Sequence, residues 1–265
     1  MLKIALIGNG TIATYVAEKL AASSDVKIVQ VICQPGREEE AKQAIGQDVE
    51  VIHGAAELGQ GLDLVVDCAG HEALKEHGAA ILRRGFKFYT VSNGAMADPE
   101  TALEMEQAAK EGKTSLRLLS GAVGAMDALS AAAAGGLDRV TYKGCKPSLG
   151  WKGTAAEEVL DLDTMREPSE HFRGTARDAA LRYPKNANVA ATIALAGVGM
   201  DKTEVVLIAD PNATSNTHEI EAEGAFGRFT FRIDGKPLPT NPKSSALTAM
   251  NVVRVVLNEA ASIIS

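Results

Sequence analysis

Short runs of apolar and β-branched residues recur through the first part of the chain, at residues 3–7, 26–33, 49–53, 62–67, 86–91 and 116–119, with helical stretches between them. Near-continuous apolar runs of this length belong to strands covered on both faces, and their alternation with helices predicts βαβ units and a parallel sheet. The chain up to Gly121 therefore reads as a doubly wound α/β domain.

After Gly121 the pattern changes. An Ala-rich helix is predicted over residues 125–135, a strand around Val140, and a helical region over 176–196. Three closely spaced strands follow at 204–209, 217–223 and 228–233, and the Gly-containing turns Glu223-Gly224 and Asp234-Gly235 predict antiparallel pairing in an α+β lobe. Over 244–263, Leu247, Met250, Val253 and Leu257 fall at a helical period, with Pro242 as the start signal. The expected division is 1–121 as the first domain, 122–241 as a substrate and dimerisation domain, and 242–265 as a helix returning to the first.

Composition matters mainly through what it excludes. With 46% hydrophobic and 23% charged residues, the chain has the apolar content of a folded protein and not that of a disordered one. A formal charge of −7 argues against a nucleic-acid partner, whose phosphates demand clustered Lys and Arg. Cys33, Cys68 and Cys145 are odd in number and show no CxxC spacing, so neither a disulfide framework nor a metal site is expected, and a reducing cytoplasm is. The opening MLKIALIG reaches a glycine too soon for a signal or membrane segment.

The most informative local motif is Gly8-Asn9-Gly10-Thr11-Ile12-Ala13, a GxGxxA loop that follows a strand and opens a helix. Gly8 permits the tight turn, Gly10 lets backbone approach a pyrophosphate, and Ala13 lets the helix pack on the strand. Thr11 and Ile12 then offer helix N-terminal N–H groups to phosphate oxygens. The second strand ends in Cys33-Gln34-Pro35-Gly36-Arg37, with no acidic residue to hold ribose hydroxyls, and Arg37 is suited to a 2′-phosphate. NAD or NADP is thus the expected cofactor, with Gln34 and Arg37 beside the ribose. The near-motif Glu111-Gly112-Lys113-Thr114 is not a phosphate loop, because Gln107 holds the required glycine position and a helix precedes it.

Of His53, His71, His77, His171 and His218, the first three sit at a strand end or on a helix face and read as structural or solvated. His218 follows a polar loop and enters a strand of the second lobe, where a side chain can face a ligand. Taken with Ser120-Gly121-Ala122-Val123-Gly124, Tyr183-Pro184-Lys185-Asn186-Ala187-Asn188-Val189 and Asn216-Thr217-His218-Glu219, the chain resembles the L-aspartate dehydrogenase family over essentially its whole length. The resemblance implies a two-lobed fold and cofactor contacts at Ala122 and Asn188. It also implies a catalytic His218 and the interconversion of L-aspartate with iminoaspartate, which yields oxaloacetate and ammonia or feeds NAD biosynthesis. Cations flanking these motifs, Lys143, Lys146, Lys152, Arg173, Arg177 and Lys185, are available for substrate carboxylates, and sequence alone does not choose among them. Trp151 reads as core or interface. Two alternatives remain: another two-lobed reductase of the dihydrodipicolinate-reductase or homoserine-dehydrogenase type, and a non-catalytic dinucleotide sensor.

Overall fold

The computed structural model describes residues 1–184 and 188–264, the side chains of Pro242 and Lys243 excepted. The chain divides into two compact units, one of Met1–Gly121 with Leu238–Ser244 and the stretch from Thr248 onward, the other of Ala122–Pro237 with Ser245–Leu247.

The first unit contains strands β1 (Leu2–Ile7), β2 (Val26–Ile32), β3 (Glu50–Ile52), β4 (Leu64–Asp67), β5 (Lys87–Thr90) and β6 (Leu116–Leu118). They form one sheet in the order β3-β2-β1-β4-β5-β6 with every pairing parallel, the doubly wound arrangement of a Rossmann domain. The connecting helices are α1 (Thr11–Leu20), α2 (Glu38–Ile45), α3 (His71–Arg83) and α4 (Pro99–Glu111). Local chemistry fixes the start of α4, where Pro99 takes the first helical position and the Asp98 side chain accepts the Glu100 N–H. Ile4, Leu6, Leu64 and Val66 face one core layer, and Ala5, Ile7 and Val65 the other. That two-sided burial explains why these strands read as unbroken apolar runs.

In the second unit the strands are β7 (Leu137–Pro147), β8 (Ser169–Thr175), β9 (Glu204–Asp210), β10 (Asn216–Gly224) and β11 (Gly227–Gly235), in the order β11-β10-β7-β9-β8. Here the sequence expectation needs correction. β10 and β11 pair antiparallel as expected, but β9 does not join them. β7 lies between β9 and β10, parallel to β9 and antiparallel to β10. At 11 residues it is long enough to complete ladders on both sides, and sequence proximity misassigned its neighbour. The helices are α5 (Met126–Gly135), α6 (Ala176–Arg182) and α7 (Asn188–Ala196). The expected single helical region over 176–196 is therefore two: α6 starts at a Thr175–Asp178 capping box and ends before Tyr183-Pro184, since proline cannot supply a helical N–H.

Two short strands, β12 (Pro237–Leu238) and β13 (Asn241–Ser245), precede α8 (Ala246–Ala260). Pro242 thus lies in a strand and not at the helix start. Val252, Val255 and Val256 of α8 pack in the first unit's core with Leu6, Tyr89 and Leu119, each buried valine contributing roughly 1.5–3 kcal/mol. Glu259 accepts a hydrogen bond from the Tyr89 hydroxyl and pairs with Lys87 at 3.0 Å.

Candidate active site

In the first unit, β1 runs directly into the glycine loop. Gly8 has φ +92°, and a Cβ placed there would lie 2.8 Å from the Cβ of Ala69, so the turn and the close approach of the loop after β4 both demand glycine. Gly10 is extended and opens onto free space, with nothing within 4 Å of a Cβ built on it. Thr11 and Ile12 begin α1, whose N-terminus has no side-chain cap and no acidic residue in its first turn. Asn9 Nδ2 is buried and finds no acceptor among the described residues. Unclaimed N–H groups at a helix start, open space above Gly10 and an orphan donor together fit the pyrophosphate of a dinucleotide.

Sequence reasoning passed over Asp67 at the end of β4. Its buried carboxylate accepts from Thr90 Oγ1 and Ser92 Oγ, both at 2.6 Å, and from the amides of Ala69 and Gly70 at 2.8 and 3.3 Å. It thereby fixes the Cys68-Ala69-Gly70 loop against Gly8. The two amides are local to the chain, and only the tertiary fold brings the Thr90 and Ser92 hydroxyls to the same carboxylate.

Gln34 and Arg37 are exposed beyond the end of β2. Arg37 pairs with Glu40 at 2.7 Å. The sequence reading found no acidic group here, but the structure turns Glu38 back into the loop: its Oε1 accepts the Gly36 N–H at 2.9 Å and lies 3.3 Å from His53 Nε2. The Gly36 amide holds the Glu38 carboxyl below its ordinary pKa, so the end of β2 carries both charges.

The second unit holds His218, Ala122 and Asn188. Ala122 is half-buried ahead of α5, and Asn188 opens α7, its carbonyl accepting the Thr192 hydroxyl at 2.7 Å. His218 is buried on β10, directly opposite Gly144 of β7. Its Nδ1 is 2.8 Å from the Tyr142 hydroxyl. A Cβ at Gly144 would come within 2.6 Å of that hydroxyl, so the glycine clears the path along which Tyr142 reaches the imidazole. Burial first, and the charge of Lys146 second, lower the His218 pKa to about 4, which leaves the ring neutral near pH 7. Burial raises the Tyr142 pKa well above 10, so the phenol keeps its proton and serves as donor or acceptor to whichever tautomer the imidazole adopts.

The structure also sorts the cations. Lys143 is 3.2 Å from Glu219 and 2.6 Å from Glu221, on the sheet face opposite His218. Lys152 pairs with Asp163 at 2.5 Å, Arg173 with Glu170 at 2.7 Å, and Arg177 with Asp201 at 2.6 Å. Lys185 lies outside the described residues. Lys146 shares a face of β7 with Tyr142 and Gly144, four and two residues away, and hence shares the His218 face. Its ammonium sits 4.8 Å from the ring centroid of Trp151, which is buried as expected and donates from Nε1 to the Ile208 carbonyl at 3.0 Å. Burial lowers the Lys146 pKa to about 8.

Residues 127–259 match the family model for the aspartate dehydrogenase C-terminal domain, and residues 8–119 that for the homoserine dehydrogenase NAD-binding domain. An L-aspartate dehydrogenase of Ruegeria pomeroyi is 52% identical over 261 residues, covering 98% of this chain and 94% of that one. One from Cupriavidus necator is 49% identical over 261 residues, covering 98% of both. The crystal structure of aspartate dehydrogenase from Thermotoga maritima aligns over 100% of this chain and 99% of that one with a TM-score of 0.79, and its 24% identity speaks to fold alone.

Proposed function

The chain belongs to the L-aspartate dehydrogenase family, and from that premise we propose that it interconverts L-aspartate and iminoaspartate with NAD or NADP as hydride carrier. The observation that carries the reading is the buried His218, hydrogen-bonded to Tyr142 on a face that also holds Lys146. Gly8, Gly10, Thr11, Ile12 and Asn9 would hold the pyrophosphate, with Gln34 and Arg37 at the ribose, and Ala122 and Asn188 are proposed as further cofactor contacts.

Oxidation of the amino acid removes a hydride from Cα and one proton from the ammonium group. The bound cofactor supplies the hydride acceptor, as its own chemistry dictates. The chain must handle the proton, and His218 Nε2 is the proposed acceptor when Nδ1 donates to the Tyr142 oxygen. With its pKa near 4 the imidazole of the free protein is a weak base. A substrate carboxylate near Lys146 would offset the cation that helps depress it and raise its basicity once the substrate is bound. In the reverse direction, protonated His218 returns the proton to the amine.

The resulting imine is either hydrolysed to oxaloacetate and ammonia or released to a further reaction. A small-molecule dehydrogenase with unpaired Cys33, Cys68 and Cys145 suits a reducing cytoplasm. Among the described residues no helix is long and apolar enough to cross a membrane. The test is consumption of reduced nicotinamide with oxaloacetate plus ammonium. Rates with these substrates should exceed those with dihydrodipicolinate or aspartate semialdehyde, and the opposite ranking rejects the reading.

A further inference from the structure

Between Glu170 and Phe172 the β8–β9 register slips: Glu170 faces Ile208 and Phe172 faces Leu207, which leaves His171 as an extra residue. Such a bulge re-aims the inserted side chain. His171 is buried, with its ring 4.3 Å from Trp151 in an edge-to-face contact and its Nδ1 3.1 Å from the Tyr183 hydroxyl. Its Nε2 is buried and has no partner among the described residues. Trp151 thus touches the His171 ring and the Lys146 ammonium alike, and Lys146 shares the His218 face.

We propose that Lys146 and His171 form the carboxylate-recognising part of the site, receiving one carboxylate of a small dicarboxylate beside His218. The proposal rests on the aspartate dehydrogenase reading and names the group that would select a dicarboxylate. Burial keeps the Tyr183 phenol protonated, and when it donates to Nδ1 the His171 proton resides on Nε2, the nitrogen that lacks a partner. A carboxylate there would take a charge-assisted bond from Lys146 and a second bond from His171. Burying an anion is tolerable where a cation and a donor are already placed for it. Lys146 depresses the pKa of both histidines, so its charge is felt at both rings. The other groups acting on this cluster are Tyr142 of β7, Arg182 of α6 and Glu170 of β8.

Malonate, an unreactive dicarboxylate, is the probe, and the cofactor-saturated full chain is the sample. Lys146→Met should raise both the malonate Kd and the KM for aspartate on the order of 30-fold or more, with kcat and the cofactor KM changed far less. Lys146→Arg should recover most of the affinity, and His171→Gln should lose roughly 10-fold. In the wild-type chain, malonate affinity should weaken as pH rises through about 8, where Lys146 loses its proton, and Lys146→Arg should remove that dependence. Malonate should also shift the histidine ring NMR signals of His171 and His218. Malonate affinity that is unchanged in folded Lys146→Met overturns the proposal. If malonate binds through Lys146 while aspartate is not oxidised, the activity reading fails and the carboxylate site stands. Oxidation of aspartate with Lys146-independent malonate binding has the reverse meaning.

Discussion

The Tyr142 hydroxyl stands 2.8 Å from His218 Nδ1, and it reaches there because Gly144, the residue facing His218 across the ladder, has no side chain. His218→Ala should lower kcat by ~10²-fold or more, as expected for loss of a general acid–base group, with little change in cofactor affinity. Gly144→Ala would place a methyl 2.6 Å from the Tyr142 hydroxyl and displace it, so kcat should fall alongside that of Tyr142→Phe while the His218 side chain is intact. Steady-state kinetics beside thermal melts checks this. Wild-type kcat in His218→Ala removes His218 from the mechanism, and wild-type kcat in Gly144→Ala removes the positioning role of Tyr142.

We expect cofactor choice to turn on the end of β2, where Arg37 pairs with Glu40 and the Glu38 carboxylate binds the Gly36 amide. An exposed ion pair such as Arg37–Glu40 contributes only ~0–1 kcal/mol and yields readily to a phosphate. NADP(H) should therefore be used at a rate within about an order of magnitude of NAD(H). Arg37→Glu should weaken NADP(H) selectively, and Glu38→Gln should favour it. Equal effects of Arg37→Glu on both cofactors would separate Arg37 from the 2′ position.

Much of this was legible in the sequence, for identifiable reasons. The strands of the first unit are buried on both faces and are therefore apolar throughout, and Gly8 sits at a turn whose positive φ and close approach to Ala69 demand glycine. The neighbours of His218 were not legible. Tyr142 and Lys146 lie more than seventy residues away, and only the β7–β10 register brings them onto one face. The same holds for His171, whose orientation comes from a one-residue register slip that leaves no mark in composition. Glu38 lies just beyond the Cys33–Arg37 segment and was passed over, because only its side chain folds back against the chain direction, onto the Gly36 amide.

Stability should depend on pH through the two buried histidines. Burial lowers the pKa of His171 and of His218 from 6.5 to about 4. As pH falls through 6.5 the unfolded chain takes up protons that the folded chain refuses, so the stability these groups contribute is lost between about pH 6.5 and 4. The loss approaches roughly 3 kcal/mol for His218 and is smaller for His171, part of whose shift comes from the charges of Arg182 and Lys146, which solvent screens. Denaturant unfolding at pH 7 and pH 4.5 should show a smaller drop for His171→Gln than for the wild-type chain. An identical drop would mean that His171 titrates normally in the folded state.

Assembly follows from the second sheet. β11 is an edge strand with alternate residues exposed, and Phe226, half-exposed at its start, contacts Phe229. An edge strand of this kind invites pairing, and a two-fold dimer is its commonest remedy. We expect a homodimer through the second unit. Light scattering at micromolar concentration should give about twice the 27.7 kDa of one chain, and a mass near that single value ends the dimer expectation.

We propose that this chain takes a hydride from Cα of L-aspartate while His218 handles the proton. L-aspartate carrying deuterium at Cα, incubated with the wild-type protein and NAD or NADP, should yield reduced nicotinamide bearing that deuterium at C4. His218→Ala should form it ~10²-fold more slowly. If no reduced cofactor forms from aspartate, or if it forms without the label, the account is contradicted.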